Sequence, residues 1–173
     1  DCFGPEILDI IKEVSTVKPV WIELGLQTSN EKTALLINRG YALGEYDKAM
    51  DNLKKLDVHI IVHMIIGLPG ETKQDLISTV RYIADSGAGG IKLQLLHVLK
   101  NTVIEKMYIN GEFDVLTFDE YADILCDCLR ALPPDMVVHR FTGDGPKKIL
   151  VAPMWSADKK MVLNRLNRIV SEL

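Results

Sequence analysis

Cysteine is scarce: the chain carries Cys2, Cys126 and Cys128 in 173 residues. So low and odd a number argues against a disulfide framework and for a reducing compartment, and a cytoplasmic location is expected. Cys126 and Cys128 stand two apart in a helical pattern and face nearly opposite sides. They cannot share a metal without unwinding the helix, and they read as small apolar residues. Long apolar runs are absent too. None reaches the ~18 residues needed to span a bilayer, so no membrane partner is expected. Asp1-Cys2-Phe3 leads into Gly4-Pro5 and a charged helix rather than a secretory signal. Neither sign of charge dominates, and a net charge of −4 gives no global pull toward nucleic acid or anionic membrane. There is no Walker A motif, no Gly-x-Gly-x-x-Gly and no His-x-His pair. Aromatic-basic interleaving is missing as well, which removes the usual signature of a nucleic-acid surface while leaving a nucleic-acid substrate open.

What is present is an ordinary globular composition, 47% apolar and 25% charged, in a chain long enough for one respectable core. Periodicity alternates helix and strand. Pro5 to about Thr16 is a predicted helix with an Ile7, Leu8, Ile10, Ile11 and Val14 stripe, followed by a strand over Val20–Leu26. Short helices are predicted over Glu31–Asn38, capped by Ser29 or Asn30, and over Gly44–Leu56. Val58–Ile66, dense in β-branched residues, reads as a buried parallel strand that stops at the turn Gly67-Leu68-Pro69-Gly70-Glu71-Thr72. Helix Thr72–Ser86, strand Gly90–His97, short helix Thr102–Asn110, helix Phe118–Leu132 with a Thr117/Glu120 capping box, strand Met136–Phe141 and a last helix over about Asp158–Glu172 complete the pattern. Helices between successive strands dictate parallel pairing with right-handed crossovers. A sheet of four such strands leaves buried-type strands at its edges, so either the C-terminal region covers an edge or the chain is part of something larger.

In a parallel α/β sheet the chemistry sits at the carboxyl ends of the strands. That selects Glu23, Gly25 and Gln27 on the first strand, His63 and the 67–72 turn on the second, Lys92, Gln94 and His97 near the third, and His139, Arg140 and Asp144 near the fourth. Glu23 is costly to bury alone: it either pairs with Lys92 across the sheet or belongs to a polar layer lining a lumen. His59 and His63 lie ~13 Å apart along one strand face and cannot share a metal. His63, His97 and His139 could converge from three strand ends on a zinc-like site. The 67–70 turn could hold an anion at a helix start, although Pro69 removes one donor.

Three stretches, Glu23-Leu-Gly-Leu-Gln-Thr28, Ile37-Asn-Arg-Gly40 and Ile65-Ile-Gly-Leu-Pro-Gly-Glu-Thr72, together resemble the second half of a radical S-adenosylmethionine (SAM) enzyme core. The pattern is similar to that of the elongator catalytic subunit and oxygen-independent coproporphyrinogen oxidase, and more so to a bacterial group of uncharacterised Fe–S oxidoreductases. In that group Gly90-Ile-Lys-Leu, Leu96-His97, His139-Arg140 and Ala152-Pro153-Met-Trp155 also have counterparts. The resemblance implies the C-terminal portion of a partial (β/α)6 TIM-like barrel, parallel strands inside and helices outside. Residues 1–135 would form the second half of the barrel and 136–173 a C-terminal extension. It implies an oxidoreductase or transferase using S-adenosylmethionine and a 4Fe–4S cluster, in which reductive cleavage of the cofactor yields a 5′-deoxyadenosyl radical that abstracts hydrogen from substrate.

The family's Cys-x-x-x-Cys-x-x-Cys cluster loop is missing here. The resemblance therefore implies that the chain is part of a longer enzyme, that Cys2 is no cluster ligand, and that this segment alone binds no cluster and turns nothing over. Its first partner would be the absent N-terminal half of the barrel. By position, Gln27 matches a glutamine contacting the ribose or methionine part of SAM, and Arg39 an arginine near the methionine carboxylate, a group its fork of donors suits. Arg39 could instead be a cation closing a helix C-terminus. Ile65, Gly67, Leu68 and Pro69 match the segment that packs on adenine. His63 stands where coproporphyrinogen oxidase has a ribose-binding aspartate. Glu23, Lys92, Gln94 and His97 face the substrate side, with Lys100, Arg140 and Asp144 further out. Two other readings stay open: a self-contained metal-dependent hydrolase using His63, His97 and His139, and a non-catalytic binding module. The strand Val20–Gln27 would present an exposed edge through which the chain self-associates.

Overall fold

A computed structural model describes residues 3–143 and 145–173. The readings that fell on Cys2 and Asp144 lie outside the described residues. Elements run α1 (Pro5–Ser15), β1 (Trp21–Gln27), α2 (Glu31–Leu36), α3 (Leu43–Leu53), β2 (His59–Ile66), α4 (Lys73–Asp85), β3 (Gly90–Leu95), β4 (Val98–Leu99), α5 (Val103–Ile109), α6 (Phe118–Ala131), β5 (Val137–Arg140), β6 (Leu150–Ala152), a 3-10 turn over Met154–Ala157, and α7 (Lys159–Val170). Strands β1, β2, β3 and β5 form one sheet in that order, every pair parallel. The α/β class and the helix-separated parallel strands match the pattern read from the sequence.

Helix ends follow local chemistry. Asn30, not Ser29, caps α2, its side chain accepting from the backbone N–H of Lys32 and Thr33. Thr117 and Glu120 form the expected capping box on α6, and Thr72 with Asp75 forms a second on α4 that the sequence reading passed over. Helix α2 stops two residues early because Asn38 takes a left-handed conformation at φ 53°, letting the Arg39 N–H reach back to the Ala34 carbonyl at 2.9 Å.

Side chains alternate across the strands, and helices α3, α4, α6 and α7 cover one face. Leu24, Leu26, Ile60, Val62, Met64, Ile66, Ile91, Leu93 and Leu95 point to the helices and pack on Tyr46, Met50, Leu53, Leu76, Val80, Ile83, Leu125, Cys128 and Leu166. Burying each large side chain contributes roughly 1.5–3 kcal/mol, so this layer supplies most of the fold's stability. Cys126 and Cys128 are both buried in α6, and burial pushes their thiols up, Cys128 to about 12.

Two corrections concern the C-terminal half. The third strand ends at Leu95, so Leu96 and His97 lie beyond it. The stretch between the fourth predicted strand and the last helix, where no element was expected, contains β6, which pairs antiparallel with β4 in a separate ribbon, Val98 opposite Ala152. Elements of two and three residues carry no periodicity to read. No described helix is long and apolar enough to cross a membrane.

Candidate active site

The uncovered face of the sheet is concave, and its side chains lie in layers. Lowest is an aromatic floor. Trp21 of β1 stands 5.0 Å from the ring of His59 on β2 and 5.2 Å, edge-on, from His139 on β5. Because β1 and β5 are opposite edges of the sheet, this contact registers how strongly the sheet curls. Gly90 of β3 makes room for it: a Cβ there would lie 2.6 Å from the His139 ring.

The next layer is polar. Glu23 Oε2 accepts from Lys92 Nζ at 2.6 Å and pairs with His63 Nε2 at 2.7 Å, while Gln94 Nε2 lies 2.8 Å from His63 Nδ1. A Gln94 amide that donates to Nδ1 goes with an N–H on Nε2 that donates to Glu23. The two readings of Glu23 therefore merge: it pairs with Lys92, and the pair lines the open face with His63 between the two strands' contributions. The Lys92 and His63 hydrogen bonds hold the Glu23 carboxyl below its ordinary range.

Above this layer, at the carboxyl ends of β1, β2 and β3, a cleft of about 670 Å³ is lined by Gly25, Gln27, Arg39, Tyr41, Ile65 and Leu68, with Leu96, Val103, Ile104 and Met107 opposite. It brings together Gln27, Arg39, Ile65 and Leu68 of the residues selected from the sequence. Gln27 enters through a break in the β1–β2 register and holds φ at 69°, a left-handed conformation that turns the chain off the strand. Gly67 and Pro69 belong to the same turn but do not line the cleft.

The Arg39 side chain is almost wholly buried, 2% exposed, and its fork is engaged. Nε donates to the Tyr41 carbonyl at 3.0 Å, Nη1 to that of Thr28 at 2.8 Å, and Nη2 to Glu31 Oε2 at 3.0 Å. Its guanidinium also lies 4.8 Å from the centre of the Tyr41 ring, and the Tyr41 hydroxyl donates to the Gly25 carbonyl at the β1 edge. Arg39 thus holds the cleft wall in shape.

Sequence reasoning missed the brace behind that wall. The Thr28 hydroxyl donates to Glu71, Asn30 N–H donates to Thr28 Oγ1 at 3.0 Å, and Ser29 N–H donates to Thr79 Oγ1 at 3.0 Å. These bonds stitch the loop after β1 to the turn after β2. Burial pushes the Glu71 carboxyl above its ordinary range, the Thr28 bond only partly opposing it. Glu71 stood in the quoted motif, but no spacing in one sequence names its partner forty-three residues away.

His97 is clasped by the loop after β5: a Cβ on Gly143 would lie 2.9 Å from its ring, and one on Gly145 2.8 Å. Lys100 is exposed beside the β4–β6 ribbon, and Arg140 is exposed at the end of β5. His63, His97 and His139 therefore sit in three separate environments. Among the described residues no group of three or more His, Cys, Asp or Glu is arranged to hold a metal ion. The metal-dependent hydrolase reading is overturned by this geometry, since each imidazole is committed to a different set of neighbours. Cys126 and Cys128, buried on the helix layer, offer no ligand set for an iron–sulfur cluster either.

Two family models match the chain end to end, the Radical SAM superfamily over residues 1–83 and the Radical_SAM C-terminal domain over residues 88–172. The chain belongs to the radical SAM superfamily. The uncharacterised protein YtqA of Bacillus subtilis is 40% identical over 168 residues, which is 97% of this chain and 52% of that protein. YhcC of Escherichia coli is 30% identical over 173 residues, covering 99% of this chain and 56% of that protein. The chain spans about half the length of the curated relatives it matches. Among solved structures, the archaeal Elp3 of Methanocaldococcus infernus superposes with a TM-score of 0.75 at 22% identity, over 87% of this chain and 35% of that one. That likeness shows a shared fold.

Proposed function

We propose that this chain forms the cofactor wall of a radical SAM enzyme, with the adenosyl part of S-adenosylmethionine seated in the cleft at the carboxyl ends of β1–β3. What carries the reading is the convergence of Gln27, Ile65 and Leu68 on one cleft of about 670 Å³, mostly apolar with a few polar groups, as small-molecule sites are built. Gln27 offers an amide to ribose or methionine; Ile65 and Leu68 offer apolar surface to adenine; Gly67 and Pro69 shape the turn that presents them. Arg39 acts mainly by holding Thr28, Tyr41 and Glu31, and fixes the wall against which the methionine end lies. His63, tied to Glu23 and Gln94, stands just below. S-adenosylmethionine, when bound in the complete enzyme, supplies the hydrogen-abstracting radical.

The cluster ligands belong, in this reading, to an N-terminal half-barrel that closes against β1, and residues 136–173 form an extension on the far edge. The chain by itself is then inactive, and its open β1 edge invites self-association. The reaction is of oxidoreductase or transferase type, in a reducing, cytoplasmic setting suggested by the scarcity of cysteine.

Titration of S-adenosylmethionine into the 173-residue chain, followed by amide and side-chain NMR, tests the site. Shifts at Gln27, Tyr41 and Ile65 are expected with roughly millimolar affinity, about −4 kcal/mol, as befits half a site, and Gln27→Ala weakens them. Cofactor that leaves those resonances unmoved, or moves only residues outside the cleft, overturns the assignment.

A further inference from the structure

The cleft leaves the two lower layers of the concave face without a role. The floor is an indole half open to the lumen, Trp21 being 55% exposed, with the imidazoles of His59 and His139 at its sides. Two residues along the same strand face, about 7 Å by strand geometry, lies Glu23. Its Oε2 takes both protein donors, and Oε1 has no partner among the described residues. Lys92 Nζ makes one ion pair, which leaves ammonium hydrogens to donate. The layer thus presents an acceptor beside a donor. Because the carboxylate and the ammonium cancel, it offers little net attraction to a charged ligand and suits a neutral one.

We propose that the concave face binds a planar nitrogen heterocycle whose edge carries an N–H beside a carbonyl, stacked on Trp21 and hydrogen-bonded by Glu23 Oε1 and Lys92 Nζ. Aromatic floors take flat rings through offset or edge contacts, and base-like rings stack on tryptophan whatever their identity. The polar layer then selects among flat rings: Glu23 Oε1 is half open in the free chain, a ring stacked beside it covers it, and an acceptor so covered and left unpaired by a ring lacking N–H costs affinity. His63 is a positioning residue: its ring lies between Gln94 and Glu23, and its hydrogen bond to Oε2 leaves Oε1 to the ligand. This rests on the reading above, in which S-adenosylmethionine occupies the cleft at the carboxyl ends of β1–β3.

The test compares two rings of nearly equal area on the full 173-residue chain. 1-Methyluracil has the N–H between two carbonyls; 1,3-dimethyluracil lacks it. The two tryptophan indoles serve as separate reporters, since Trp155 Nε1–H is tied to the Leu116 carbonyl at 2.9 Å. The expected result is that 1-methyluracil shifts the Trp21 indole and His63 ring signals and binds roughly tenfold more tightly than its dimethyl analogue. Glu23→Gln should remove most of that preference while stacking persists; Trp21→Leu should remove binding of both rings. The proposal is overturned if neither ring moves the Trp21 signal, if the two rings bind equally, or if shifts appear only at Tyr41 and Ile65. Loss of S-adenosylmethionine binding at Gln27, Tyr41 and Ile65 is a separate readout, so failure of the cleft assignment and failure of the heterocycle site give different patterns.

Discussion

The two faces of the central sheet are built from alternate residues of the same strands, yet they are chemically opposite. On β3, Ile91, Leu93 and Leu95 are sealed under helices, while Lys92 and Gln94 between them look into an open concavity. On β2, Ile60, Val62, Met64 and Ile66 are buried in the helix layer while His59 and His63 line the other side. The helix face has one task, to exclude water, and any well-fitting apolar set performs it. The concave face keeps polar groups in a defined order from floor to cleft at a cost in burial. Stability should therefore be concentrated on one side and recognition on the other, and the contrast can be tested residue against neighbouring residue.

The largest effect is expected on the helix face. Leu93→Ala deletes a fully buried side chain at the middle of the sheet and should cost about 2–5 kcal/mol in urea unfolding. Its neighbour Gln94→Ala removes one hydrogen bond on the open side and should cost about 0.5–1.5 kcal/mol. Equal losses would mean that the concave face is part of the core after all.

Arg39→Lys comes next. The charge is kept but the fork is lost, and the carbonyls of Thr28 and Tyr41 lose buried donors. A loss of about 1.5–3 kcal/mol is expected by thermal or urea unfolding, together with altered resonances around Gln27. An unchanged stability would show that the fork is spare and free to meet an anion, which would restore the direct carboxylate role that position suggested.

Gly90→Ala probes the curl of the sheet. The added methyl would meet His139 at 2.6 Å and the Val137 carbonyl at 3.2 Å, so the His139 ring or β5 itself must shift. About 1–3 kcal/mol of destabilisation is expected, and the Trp21 indole signal should lose the influence of the His139 ring. A variant as stable as the parent, with that signal intact, would show that the floor is not set by this contact.

Much of this was legible in advance for one physical reason: periodicity reports burial. The run Val58–Ile66 announced a strand, the stripe Leu76, Val80, Ile83 a helix, and Thr117 with Glu120 the start of α6, because each pattern arises within a few residues. The position of strand ends also selected Glu23, Lys92 and Gln94 for the substrate side, together with His97, which lies elsewhere, and Glu23 was matched with Lys92 as a possible pair. What stayed hidden depends on long-range neighbours. Nothing local says that Glu71 receives the Thr28 hydroxyl, that Arg39 spends its fork on carbonyls, or that Gly143 and Gly145 are small because His97 lies between them. The β4–β6 ribbon was invisible because its strands are too short to repeat anything.

The smallest effect separates the two faces by pH. Glu23 and Glu71 are displaced in opposite directions from the ordinary glutamate value of 4.5. Glu23, held down by Lys92 and His63, contributes stability that is present above that value and is lost as pH falls through its lowered range. Glu71, pushed up by burial, works the other way: folding favours its protonated form, so the stability it brings is present at low pH and is lost as pH rises through its raised range. Glu71→Gln keeps an acceptor for the Thr28 hydroxyl but does not titrate, so its stability should decline less than the parent's between pH 4.5 and neutrality. Glu23→Gln should instead flatten the acid limb below 4.5. The half-open position of Glu23 makes its share the slighter of the two, because solvent screens the Lys92 pair. Stability measured by urea unfolding across that range for both variants decides the matter. If Glu71→Gln tracks the parent at every pH, the carboxyl behind the cleft wall is ionised and solvated, and the brace between the loops after β1 and β2 is looser than its hydrogen bonds imply.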